Sequence, residues 1–211
     1  MRARIEHDTL VFEPRHHKIA SDLMPCIFRY MKGNKFVLAI YGISGTGKTE
    51  VAMLLQEKLF ERGMTSKIIH LDGYYRVHWR KRKEHRAKSG IIGIDEIDWL
   101  QVNKLVERFK ENNINLLSIK KINLYLDEYE TILVTSNFNV MIIDGLYSAN
   151  VSGVNYVVKL DAEIEQTLLF QEKRGKEIMD ADRSFVLEAE RCEVAKLDHR
   201  NNIEIPWREN G

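Results

Sequence analysis

Cysteine and long apolar runs are scarce in this 211-residue chain, and each scarcity closes off a class of protein. The two cysteines, Cys26 and Cys192, have neither metal-ligand nor CxxC spacing and stand too far apart in sequence to presume a bridge. They read as buried or incidental thiols of a reducing compartment. No apolar stretch is long enough to span a bilayer. The N-terminus mixes Arg2, Arg4, Glu6, His7 and Asp8 and has no signal-peptide core, so the expectation is a cytoplasmic protein. Linkers rich in Pro, Gly or Ser, low-complexity tracts and internal repeats are missing too, which favours one domain. The formal net charge is only +1. The molecule as a whole therefore has no general pull on nucleic acid or anionic lipid, and any such pull must be local.

What is present alternates between buried strands and amphipathic helices. Residues 1–34 read as an extension holding a short strand near Thr9–Phe12 and a helix from about Arg15 to Lys32. Residues 35–211 read as the main domain. Lys35–Tyr41 is a compact apolar run, as expected of a parallel strand covered on both faces. Val51, Leu54, Leu55 and Leu59 follow at helical spacing, with Gly63 as the stop. Lys67–Leu71, Asn139–Ile143, Tyr156–Leu160 and Asn202–Ile205 read as further strands. Asp95–Lys110, Ala162–Arg174 and Arg183–His199 read as helices. Tyr74–Gly93 is basic and loop-like, and Leu116–Val134 is best taken as a hairpin. This alternation predicts an α/β fold with a parallel sheet and helices on both faces.

The chemistry gathers at the first strand's exit, Gly42-Ile43-Ser44-Gly45-Thr46-Gly47-Lys48-Thr49. G-x-x-x-x-G-K-T between a buried strand and a helix is the pattern of a nucleoside-triphosphate phosphate loop. Glycines let the loop curl so that backbone N–H groups face phosphate oxygens, and the helix N-terminus adds its positive end. The expected nucleotide contacts are Gly42, Ser44, Gly45, Thr46, Gly47, Lys48 and Thr49. Lys48 is expected at the outer phosphates and Thr49 on Mg²⁺. Asp144 closes another buried strand and is the expected partner of that metal; its plainer reading is a turn aspartate before Gly145. With glycine next, the position lacks the water-activating glutamate of many ATPase motors, which leans toward transfer to a bound acceptor. Asp72 ends a third strand. It could take the proton of an acceptor hydroxyl or be a second turn aspartate, and the residues alone leave both open.

The loop Gly42–Thr49, the segment Asp72-x-x-Tyr75-Arg76, the strand end at Asp144 and Lys173-Arg174-Gly175-Lys176 occur in an order and spacing that resemble the uridine kinase/phosphoribulokinase-like P-loop kinases, over roughly residues 36 to 200. The resemblance implies ATP and Mg²⁺ as cofactors and Asp72 as base toward the acceptor hydroxyl. It also implies Tyr75 against the acceptor and Arg174 in a small lid, about 173–183, over the phosphates. Uridine kinases carry His-Pro before the helix that follows the basic segment, where it helps hold ribose. Here Ile92–Trp99 has no His-Pro, and Ile119–Glu128 has no Pro-x-Tyr-Asp. The resemblance thus speaks to phosphate handling and leaves the acceptor open among nucleosides, sugars and sugar phosphates.

The basic run Arg76–Lys88 offers Arg76 and Arg80 as contacts for an anionic acceptor, since guanidinium groups bind oxyanions in a fork. A solvated surface is the plainer reading, and too few stacking aromatics interleave for single-stranded nucleic acid. Asp95 and Glu96 read mainly as helix N-terminal acids. Two other functions remain in view: a nucleotide-dependent switch or nucleic-acid-associated ATPase, and adenylyl-sulfate kinase-like chemistry suggested by Leu71-Asp72-Gly73. Against a guanine switch, Asn103-Lys104-Leu105-Val106 lacks the required acid. The expected partner is a small molecule, with homo-oligomerisation left open.

Overall fold

The apolar run after Lys35 forms β1, Phe36–Tyr41, buried along its whole length, in the computed structural model, which describes residues 10–111, 115–123, 126, 128–174, 181–200 and 202–207. Side chains alternate across a strand, and β1 uses both faces. Val37, Ala39 and Tyr41 enter one core; Phe36, Leu38 and Ile40 enter another. Its neighbours are β5 (Val140–Asp144) and β6 (Tyr156–Asp161), with β2 (Ser66–His70) and β7 (Ile203–Pro206) outside them. The order is β2-β5-β1-β6-β7 and every pairing is parallel. This is the expected α/β architecture.

Helices cover both faces. On one, α1 (Pro14–Tyr30) lies on α2 (Lys48–Glu61), and Ala20, Leu23 and Ile27 meet Val51, Leu55 and Leu59. Each fully buried Leu or Ile there contributes on the order of 2 kcal/mol. On the other face α4 (Trp99–Lys110) buries Val102, Leu105, Val106 and Phe109. The hairpin expected within Leu116–Val134 is β3 (Leu116–Asn123) with β4 (Glu128–Thr135), antiparallel. It docks through Leu117 and Ile119. The last two helices are α5 (Ile164–Arg174) and α6 (Ala181–Ala195).

Three expectations need correcting. The basic segment is not a loop: Trp79–Ser89 is a helix, α3. Its residues are mostly good helix formers with no apolar stripe, so hydrophobic periodicity could not reveal it. His78 Nδ1 accepts from the Arg80 N–H at 3.3 Å, Gly90 closes the end at φ 69, and Glu84 pairs with Lys88 at 2.6 Å. The helix expected from Asp95 begins at Trp99, because Asp98 caps it by accepting from the Gln101 N–H at 3.3 Å. Ile94–Glu96 is a separate 3-10 turn. Residues 10–13 form no strand, and Thr9 lies outside the described residues. So do residues 175–180 of the expected lid, including Gly175 and Lys176.

Parallel packing sets the carboxyl ends of β1, β2 and β5 side by side. Ile40, Asp144 and His70 are register partners along one line across the sheet. The sheet's order reverses direction about β1, so the crevice beyond these ends is the topological switch point where open α/β sheets bind ligands.

Candidate active site

The phosphate loop leaves β1 at Tyr41 and is shaped by close approaches that admit only glycine. At Gly42, φ is +145 and a Cβ would stand 2.3 Å from the carbonyl oxygen of Leu160 on β6. At Gly47, φ is +87 and a Cβ would stand 2.3 Å from His16 Nε2. A Cβ on Gly45 would meet Gln171 Cγ at 2.7 Å. Thr46 is buried, and its hydroxyl donates to the Ile43 carbonyl at 3.1 Å.

Lys48, first residue of α2, folds its ammonium over the loop and donates to the Ile43 carbonyl at 2.7 Å. Burial lowers its pKa to about 8, against the opposing pull of the Asp72, Asp144 and Glu190 charges. Thr49 Oγ1 donates to Asp144 Oδ2 at 2.7 Å. The other carboxylate oxygen of Asp144 lies 2.7 Å from His70 Nδ1. Burial alone would lower the His70 pKa, but the Asp144 hydrogen bond and charge, with Asp72, outweigh it and leave the pKa raised. Asp72 sits just past β2, in a 3-10 turn over Leu71–Tyr74, and its charge reaches both Lys48 and His70. Lys48, Thr49, Asp72 and Asp144 are therefore gathered at one edge of the sheet.

Arg174 ends α5, near enough for its charge to act on Lys48. Its Nε is 3.6 Å from Oε1 of Glu50, a fully buried acid in the first turn of α2. Tyr75 is buried, with Arg82 stacked over its ring at 3.5 Å. Arg76 donates from Nε to the Ile97 carbonyl at 3.2 Å, and Arg80 is exposed in the first turn of α3. Glu96 is a brace. It holds Arg86 in a two-pronged ion pair at 2.7 and 2.8 Å and accepts from the Gly93 N–H.

Several residues here escaped sequence reasoning. Arg15 and His16, in the first turn of α1, press on the back of the loop. Arg15 donates to the Thr46 carbonyl at 3.4 Å and stacks on Trp207 at 3.4 Å. Ser44 donates to Glu190 of α6 at 2.8 Å, while Gln171 of α5 donates to the Ser44 carbonyl at 3.3 Å. Gln171 lies one helical turn before Arg174, a spacing that could have flagged it. Glu190 and His16 carry no local signal.

Thr49 and Asp144 form an oxygen pair suited to Mg²⁺, which binds through one or two protein oxygens plus phosphates and water. Among the described residues no cluster of three or more His, Cys, Asp or Glu could hold a metal alone.

The α/β fold, with this loop at the end of its central strand, is like that of solved P-loop kinase structures. The sequence matches no family model and no curated protein. Among solved structures, a possible uridine kinase from Bacillus stearothermophilus is similar over 92% of this chain and 100% of that one, with TM-score 0.61 and 18% identity. A chain described as a candidate fructose transport system kinase, from Silicibacter sp. TM1040, has TM-score 0.67 at 12% identity, covering 92% and 98% of the two chains. Phosphoribulokinase from Rhodobacter spheroides has TM-score 0.58 at 12% identity, over 82% and 70%. At these identities the likeness is one of fold.

Proposed function

We propose that this protein is a kinase that moves the γ-phosphoryl group of ATP to a hydroxyl of a small molecule, a nucleoside, sugar or sugar phosphate. The observation that carries this reading is the convergence of Lys48, the Thr49–Asp144 pair and Asp72 at the carboxyl edge of β1, β5 and β2. Backbone N–H groups of Gly42–Thr49 hold the phosphates, and Lys48 neutralises charge on the outer ones. Thr49, with Asp144 behind it, would hold Mg²⁺, which would supply charge neutralisation to the phosphates when bound. Asp72 takes the acceptor proton as the acceptor oxygen bonds to phosphorus. The bond from phosphorus to the β,γ-bridging oxygen breaks, and ADP leaves with that electron pair. Arg174 serves the charge spread over the transferring group. Tyr75, Arg76 and Arg80 border the acceptor. The similar structures bear the names of a possible uridine kinase, a candidate fructose transport system kinase and phosphoribulokinase, which supports this acceptor class.

Calorimetry with Mg·ATP on wild type and Lys48→Ala tests the site. The wild type is expected to bind ATP, and the variant to bind at least about tenfold more weakly while melting as a folded protein. Equal binding by both would remove the loop from the reaction.

A further inference from the structure

The cluster around Ser44 is not explained by phosphate binding as described so far. Glu190 is 6% exposed, accepts the Ser44 hydroxyl on Oε2 at 2.8 Å and faces Arg183 Nη1 from Oε1 at 3.3 Å. Arg183 also donates from Nη2 to Gln171 Oε1 at 3.0 Å, and Gln171 Nε2 donates in turn to the Ser44 carbonyl at 3.3 Å. One residue of the loop is thus gripped at its hydroxyl and its carbonyl by side chains of α5 and α6, with Arg183 joining the two grips. The Glu190 charge also acts on Lys48, so the cluster lies at the end of the loop where the ammonium meets the outer phosphates.

A buried carboxylate is the wrong charge to bond a loop built for a polyanion. Phosphate oxygens arriving there would be repelled by Glu190 and attracted by the arginine it holds. The contradiction disappears if the pair is a holding contact, in which the carboxylate keeps the guanidinium over Ser44 until a phosphate replaces it as partner. Forked guanidinium–oxyanion contacts are the stronger kind, and a phosphate carrying more charge than one carboxylate can displace it.

Resting on the kinase reading, we propose that Arg183 contacts the terminal phosphate of the bound triphosphate, and that Glu190 is its positioning residue, competing with that phosphate for the same guanidinium. Arg183 then discriminates triphosphate from diphosphate. Glu190 sets how tightly the triphosphate is held.

The two residues predict opposite changes, which a structural brace would not produce. Calorimetry with β,γ-imido-ATP and with ADP, each with Mg²⁺, would be run on wild type, Arg183→Gln, Arg183→Lys and Glu190→Gln, with folding checked by thermal melts. Arg183→Gln is expected to weaken the triphosphate analogue by roughly 10- to 100-fold and ADP by less than about threefold. Arg183→Lys keeps the charge without the fork, falls between them, and carries the test if the Gln variant does not fold. Glu190→Gln keeps the shape, removes the competing charge, and is expected to tighten the triphosphate by about threefold or more with ADP unchanged. The proposal is overturned if the Arg183 variants leave the triphosphate-to-diphosphate ratio at the wild-type value, or if Glu190→Gln weakens both nucleotides alike. If wild type binds neither nucleotide, the kinase reading fails and takes this inference with it. If wild type binds both and only the ratios fail to move, this inference alone is lost.

Discussion

Gly47 shows how much of the site rests on single residues. It combines a left-handed φ of +87 with a Cβ position 2.3 Å from His16 Nε2, so Gly47→Ala meets both backbone strain and a ring that is itself fully buried. Strain at such a position costs on the order of 1–3 kcal/mol. The expected result is a lowered melting temperature and loss of Mg·ATP binding. Pairing it with His16→Ala should restore part of the stability, because the space returns but the φ penalty stays. No rescue by the second change would show that His16 does not press on the loop. At this scale the loop and Asp144 stood out in the sequence because each is marked locally, by a contiguous pattern or by the end of an apolar strand. Glu190, Arg183 and His16 reach the loop only through tertiary packing. Glu50, an acid in the first turn of α2, is buried against Arg174.

Among the elements, α1 has the strongest tie to the site that local pattern could not show. The sequence places its helix correctly, since Leu23 and Ile27 fall on one face, but not what its first turn touches. His16 accepts the Glu13 N–H on Nδ1 at 3.1 Å. Its pKa is lowered from 6.5 to about 4 by burial first and then by Arg15, with Glu13 opposing. Above about pH 6.5 the ring is neutral in both folded and unfolded chains and contributes nothing to pH dependence. As pH falls from 6.5 toward 4 the unfolded chain takes the proton first, so stability drops through that window and the loss is complete below it. The total is on the order of 3 kcal/mol. Urea unfolding at a series of pH values should show His16→Gln losing less stability than wild type between pH 6.5 and 4. Identical slopes would contradict the buried neutral ring. The other element lesson is α3, which lacks an apolar face yet is anchored at Tyr75 and Glu96 by Arg82 and Arg86. Such anchors follow from tertiary placement and leave no periodic trace in sequence.

At the scale of the whole molecule, the order of strands and helices was legible because a parallel sheet covered on both faces needs continuous apolar strands and striped helices. Where the proposed acceptor would sit was not legible, because that depends on how the turn after β2, α3 and the hairpin meet. A Cβ on Gly73 would lie 3.1 Å from Lys121 Cδ of β3, a contact between segments nearly fifty residues apart. The proposed reaction is transfer to a bound hydroxyl rather than hydrolysis or nucleic-acid-driven turnover. The most direct test is ADP release from Mg·ATP, measured with and without each of a panel of nucleosides, sugars, sugar phosphates, adenylyl sulfate and single-stranded nucleic acid. At least one hydroxyl-bearing small molecule should raise the rate about tenfold or more over water alone. Asp72→Asn should then lower that stimulated rate on the order of 10²- to 10⁴-fold while leaving ATP affinity near wild type. ADP release that no small molecule raises, but that single-stranded nucleic acid does, would contradict the account.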